Sequence, residues 1–145
     1  MRLAGILLTC TVLHGGAYAA DDTMQRLGKA TEQYAKCLDN AFGAFANEEE
    51  GQAAARRLSG AMLRNIRTIV AEERKGSNPN IRRWVEILGE EAFIGYLFKS
   101  FSDVSEEYRT ERRTLEARNN FIWRRTDQQL WSKYGCDAIY SQLPR

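Results

Sequence analysis

The sequence predicts an all-α protein, a four-helix bundle or related small helical domain held by one disulfide. Three observations carry this. Apolar residues recur at steps of three and four over long stretches. Only two prolines interrupt the chain, Pro79 and Pro144. No alternating apolar and polar run bounded by turns suggests a strand. The length, 145 residues, fits one domain with its own core.

The first helix is expected over about residues 22–46. Met24, Leu27, Thr31, Tyr34, Leu38, Ala41 and Phe45 step by three and four, with one polar interruption at Thr31. Asp21 or Asp22 can cap it. The second helix is expected over about residues 48–74, with Asn47 as N-cap. Glu48, Glu49 and Glu50 fill its first turn, where the positive end of the macrodipole favours them. Arg74, Lys75 and then Gly76 mark its end. Its seam is Ala54, Leu58, Ala61 or Met62, Ile66 and Ile69 or Val70, and Ala54, Ala61 and Gly60 would let a neighbour approach closely.

The third helix is expected over about residues 80–101, after the loop that holds Pro79. Ile81, Trp84 or Val85, Leu88, Ala92, Ile94 or Gly95, and Phe98 make a wide apolar face. Residues 92–98 carry no charge and are expected to be its most buried part. Gly89 or Gly95 is expected to bend it. Ser102 or Asp103 would cap a fourth helix reaching about residue 134. Its first half is laced with acid and base pairs such as Arg112 with Glu116. Its second half is aromatic, with Phe121, Trp123, Trp131 and Tyr134. Gly135 ends it, and residues 136–145 form a short tail.

Residues 1–20 read as a secretory signal. Arg2 is their one charge, residues 3–13 are largely apolar, and Ala17-Tyr18-Ala19 is a small-x-small cleavage site. The segment around Cys10 resembles a lipobox, but Thr9 is bulkier than the usual residue before a lipidated cysteine, and the apolar run before it is short. Cleavage leaves about 125 residues and one domain, residues 21–145. The only histidine, His14, departs with Cys10. Without Arg2, twenty basic residues face nineteen acidic ones, so no strong global field recruits nucleic acid or an anionic membrane. No later stretch has the ~18 apolar residues of a membrane span. A periplasmic location is the expectation.

Cys37 and Cys136 remain, and a pair in an exported domain reads as a bridge. The bridge constrains the fold. Cys37 lies 15 residues beyond Asp22, roughly 22 Å up the first helix. An unbroken fourth helix would end level with Asp22. Joining the two cysteines therefore requires a bent third helix, a broken fourth helix or a tail that folds back, and a break in the fourth helix or a kink at Gly89 or Gly95 is the expectation.

The catalytic repertoire is short. Without histidine there is no Ser-His-Asp device and no histidine-ligated zinc site. No calcium loop or phosphate loop motif occurs. Neither a metal nor a cofactor is expected. Carboxylates remain: Glu86 and Glu90 share a helix face, with Glu91 beside them, as a small wall hydrolase would require. The plainer reading is a charged helix face, and no enzymatic activity is expected. Four Arg-Arg dyads occur at 56–57, 82–83, 112–113 and 124–125. Arg109, Arg112 and Arg113, with Arg82 and Arg83, could form an anion-facing surface. Arg113, Trp123, Arg124 and Trp131 are the candidate partner contacts, because exposed aromatic and arginine anchors dominate protein interfaces.

In plan, though not in motif, the chain resembles periplasmic immunity proteins that neutralise secreted cell-wall amidases or muramidases. Both have a signal peptide, a small helical domain and one cysteine pair. The resemblance implies a binding protein that inhibits an envelope-targeted toxin or hydrolase through a protein partner. A structural or accessory factor of a secretion or conjugation assembly is the alternative.

Overall fold

A computed structural model describes residues 18–76 and 78–144. The expected leader, with Cys10 and His14, lies almost wholly outside the described residues. Seven helices, and no strand among the described residues, form an all-α domain: α1 (Tyr18–Ala44), α2 (Glu48–Lys75), α3 (Pro79–Leu88), α4 (Glu90–Ser102), α5 (Glu106–Arg118), α6 (Trp123–Lys133) and α7 (Cys136–Gln142).

The second helix agrees with the sequence reading; the first begins earlier than expected, at Tyr18, so Asp21 and Asp22 lie inside it and do not cap it. The Asn47 side chain accepts a hydrogen bond from the Glu50 N–H at 2.8 Å, and the Gly76 N–H closes the far end on the Glu72 carbonyl. The three-residue connection folds α1 and α2 into an antiparallel hairpin. Closest approach falls at Gly51 and not at Gly60. A Cβ on Gly51 would meet the Ala41 carbonyl and the Phe42 Cα, each at 3.2 Å. One core cluster fills the closed half of the hairpin, with Cys37, Ala41, Ala54, Leu58, Trp131 and Cys136 at its centre. A second joins Ile66 and Val70 of α2 to Phe93 and Ile94 of α4.

The expected third and fourth helices are each broken in two. Gly89, at φ 80°, stops α3 and starts α4. Residues 92–98 are less buried than their lack of charge suggested. Phe93 and Ile94 are core, while Ala92, Gly95 and Tyr96 face solvent. Ser105 caps α5, accepting from the Tyr108 N–H, in place of Ser102 or Asp103. Residues 119–122 then turn the chain, and α6 returns antiparallel to α5 and to α1.

This second break satisfies the bridge. Cys37 and Cys136 are fully buried and disulfide-bonded, with Cα atoms 5.6 Å apart across 99 residues of sequence. Loop-closure entropy makes such a bridge worth on the order of 4–5 kcal/mol. The expected tail is helical as α7. Arg57 anchors it, donating to the carbonyls of Tyr140, Leu143 and Pro144 while its guanidinium lies 4.1 Å from the Tyr140 ring centre.

Candidate partner-binding surface

Arg112 is the residue on which α1, α5 and α6 converge. Its Nη1 donates to Asp39 Oδ2 at 2.9 Å and Asn40 Oδ1 at 3.0 Å. Its Nη2 donates to Asp127 Oδ1 at 2.6 Å, and its Nε to Glu116 Oε1 at 3.1 Å. The guanidinium is thus used on both edges. Tyr108 completes the cluster, donating from its hydroxyl to Asp39 and accepting from Asn40 Nδ2, both at 2.8 Å. Burial, with the Asp39 charge beside it, pushes the Tyr108 hydroxyl well above the usual range, so it stays a donor. Burial raises the Asp127 carboxyl; Arg112 pulls it back, while Asp39 and Glu116 push it further up. Three carboxylates share one cation here.

Backbone geometry makes room for this. A Cβ on Gly43 would sit 1.9 Å from Asp127 Oδ2, so only glycine lets α6 bring its carboxylate against α1. A second cluster seals the same hairpin. Asn119 Nδ2 donates to Thr126 Oγ1 at 3.1 Å and to Gln129 Oε1 at 2.8 Å. Further along, Glu111 accepts from Lys133 and, at 2.6 Å, from the Tyr134 hydroxyl. Those two bonds hold the Glu111 carboxyl below its usual range, and burial beside Glu111 pushes Tyr134 up to about 12.

This polar frame holds a turn whose tip is apolar. Asn120 (φ 51°) and Phe121 (φ 58°) both adopt the left-handed region. Asparagine enters it readily, whereas for a bulky residue such as phenylalanine it is a true outlier. The Phe121 N–H reaches back to the Glu116 carbonyl at 2.7 Å and closes the end of α5. Beyond it Phe121, Ile122 and Trp123 stand exposed, Trp123 at 74%. Arg124 fastens the base of the turn to the α1–α2 connection, donating to the Ala46 carbonyl at 2.9 Å. Strained backbone held by its surroundings is characteristic of functional segments.

The four candidate contacts separate. Trp123 and Arg124 lie together on the turn. Arg113 is exposed on α5 and paired with Glu106 at 2.5 Å. Trp131 is not a surface anchor. It is 5% exposed, packs edge-on to Phe45 at 5.1 Å, and donates its indole N–H to Asp137. The anion-facing arginine surface does not assemble either. Arg112 points inward, Arg109 and Arg113 pair with Glu106, and α3, which carries Arg82 and Arg83, does not pack against α5. Sequence reasoning missed Phe121 and Ile122 as surface residues, along with the cluster around Arg112. The Asn119-Asn120 pair was the one local hint of a turn.

The acids proposed for hydrolysis are dispersed into ion pairs. Glu90 is bound to Arg74 and Glu91 to Arg67, while Glu86 lines a shallow cleft with Arg74, Arg82 and Val85. Among the described residues no group of three potential metal ligands occurs, and no helix is long and apolar enough to cross a membrane. No family model, curated protein or solved structure matches the chain.

Proposed function

We propose that this is an exported, non-enzymatic binding protein that inhibits an envelope-targeted toxin or hydrolase, with the turn at residues 120–124 as its contact. The carrying observation is the exposed tip Phe121-Ile122-Trp123, which follows a left-handed step at Asn120 and Phe121 and is flanked by the polar clusters around Arg112 and Asn119. Three large apolar side chains facing water weaken a protein's solubility and add nothing to its core. They suit insertion into a pocket on a partner. A tip flanked in this way also avoids part of the ordering cost that a mobile loop would meet on binding. The signal sequence and the disulfide agree with an oxidising compartment.

The test is a photo-crosslinking amino acid placed at position 123 and activated in living cells, with the adduct identified by mass spectrometry. An envelope hydrolase or toxin as the adduct, bound ~30-fold more weakly by Trp123→Ala, is the expected result. A secretion-assembly component would favour the accessory role instead. Hydrolysis of peptidoglycan by the purified protein, abolished by Glu86→Gln, Glu90→Gln or Glu91→Gln, would overturn the reading.

A further inference from the structure

We infer, resting on the reading of the turn at residues 120–124 as the contact, that the surface it binds is acidic: an apolar pocket on a protein partner with carboxylates at its rim. Phe121, Ile122 and Trp123 are exposed at 69%, 55% and 74%. Together they present roughly 400 Å² to water. That is about half of the ~800 Å² one partner contributes to a stable interface. The side chains bordering the tip must supply the rest, so their charge decides what the tip can enter.

That border is cationic. Arg118, Arg124 and Arg125 lie within eight residues, and no acidic residue stands between them. All three are exposed. Backbone hydrogen bonds from Phe121 to Glu116, Ile122 to Asn119 and Arg125 to Ile122 wind them into the same turn as the tip. None pairs with a carboxylate among the described residues. The acids on either side, Glu116 and Asp127, are both committed to Arg112. Arg124 donates to the Ala46 carbonyl, a neutral acceptor that leaves its charge uncompensated. Arg118 is in the last turn of α5, where the macrodipole favours a cation. The same account does not cover Arg124 and Arg125. They occupy the first turn of α6, at the positive end, with no acid and no side-chain cap beside them. Carboxylates on a partner would offset that cost, and the planar fork of arginine suits them.

The pattern of sign selects a protein over a lipid or nucleic acid surface. Two residues beyond Ala46 the chain enters Glu48, Glu49 and Glu50, all exposed in the first turn of α2. Basic and acidic groups therefore border each other at this end of the molecule. A bilayer or a nucleic acid backbone presents negative charge continuously, so the glutamates would repel it. A protein surface can set carboxylates against the turn and leave the glutamates outside. Tryptophan and arginine are also the residues most enriched among the anchors of protein interfaces.

Photo-crosslinking from position 123, with irradiation short enough that adduct yield follows association, tests this. Arg118→Glu with Arg125→Glu should cut the yield at least about tenfold, since electrostatic steering is worth roughly 10- to 10³-fold in rate. Arg83→Glu, on a helix that packs against neither α5 nor α6, should leave it unchanged. The adduct should map to a partner residue with Asp or Glu within about 10 Å, one Debye length. A measurement on the purified protein needs no partner. An anionic nitroxide in solution should broaden the Trp123 indole N–H resonance at least ~3-fold more than a cationic one. Arg118→Gln with Arg125→Gln should remove that difference. These variants change exposed, unpaired side chains, and Tm values equal to the wild type verify that they fold. No adduct at all would end the reading of the turn as the contact, and the acidic partner with it. An adduct formed at full yield by the charge-reversed protein overturns the acidic partner alone, as does equal broadening by the two nitroxides. Sedimentation of the wild type with phosphatidylglycerol vesicles, lost in Trp123→Ala, overturns it too, because the tip would then belong to a bilayer.

Discussion

Replacing Gly43 by alanine tests the docking of α6 on α1. The added Cβ would fall 1.9 Å from Asp127 Oδ2 and 2.6 Å from Asp127 Cβ and Cγ. Asp127 cannot simply turn away, because it is nearly buried and its Oδ1 accepts from Arg112. Either α6 retreats from α1 or the carboxylate leaves the guanidinium. Overpacking of this kind costs about 1–3 kcal/mol, and separating a fully buried pair costs about 3–5 kcal/mol, an upper bound here because Arg112 is only partly buried. Arg112 would keep Asp39 and Glu116, so the lower part of that range applies. Alanine returns about 1 kcal/mol through its helix propensity. The net destabilisation expected is therefore ~2–3 kcal/mol, about 8–12 °C in Tm for a domain of this size. Urea unfolding followed by circular dichroism measures it. The double variant with Asp127→Gly should be markedly less unstable than the two single effects added together, because the three atoms nearest the new Cβ, all in the Asp127 side chain, have gone. A neutral or stabilising Gly43→Ala would show that α6 does not sit against α1 in this register, and the support of the turn would go with it.

Three further outcomes follow from the same geometry. Trp131→Ala should cost about 3–5 kcal/mol as a core truncation, whereas Trp123→Ala should leave Tm within a degree or two while weakening partner binding. Phe121→Gly should leave stability unchanged or raise it by up to about 1 kcal/mol, since glycine relieves the left-handed strain and an exposed ring contributes little packing, yet it should weaken binding by removing part of the tip; a large loss of stability would contradict the assigned backbone. The Glu111 carboxyl is held below its usual value of 4.5. Its contribution is therefore complete above that value and fades as pH falls through the lower folded-state pKa. Thermal melts between pH 7 and pH 3 should thus show a shallower acid-side decline for Glu111→Gln than for the wild type, and parallel declines would refute the role given to its Lys133 and Tyr134 bonds.

Local chemistry was enough to read α2 with both its ends and the course of α1, though not where α1 begins. The Asn47 cap, the three glutamates after it and the Arg74-Lys75-Gly76 stop act within one turn of the helix they delimit. The bridge was legible as well, because setting Cys10 aside with the expected signal leaves two cysteines and one pairing. It further required the chain to double back, and the break in the fourth helix and the interruption at Gly89 both lie among the places it allowed.

The position of the second break was not legible. No glycine or proline lies between residues 103 and 134, helix-forming residues run up to the turn, and the Asn119-Asn120 pair is its one local sign. What fixes the turn there is non-local. Arg112 finds Asp39 and Asn40 more than seventy residues away and Asp127 fifteen residues on, and these bonds hold α6 folded back on α1. The same holds for the two tryptophans. Trp123 and Trp131 read alike as aromatic positions of one helix, but once α6 is folded back, the side facing Phe45 becomes core and the turn becomes surface. Periodicity, caps and cysteines determined from sequence alone that the chain is helical, where its first hairpin lies and that it is cross-linked. Which side chains meet water was decided by the tertiary structure, because burial and ion pairing depend on partners that sequence distance does not reveal.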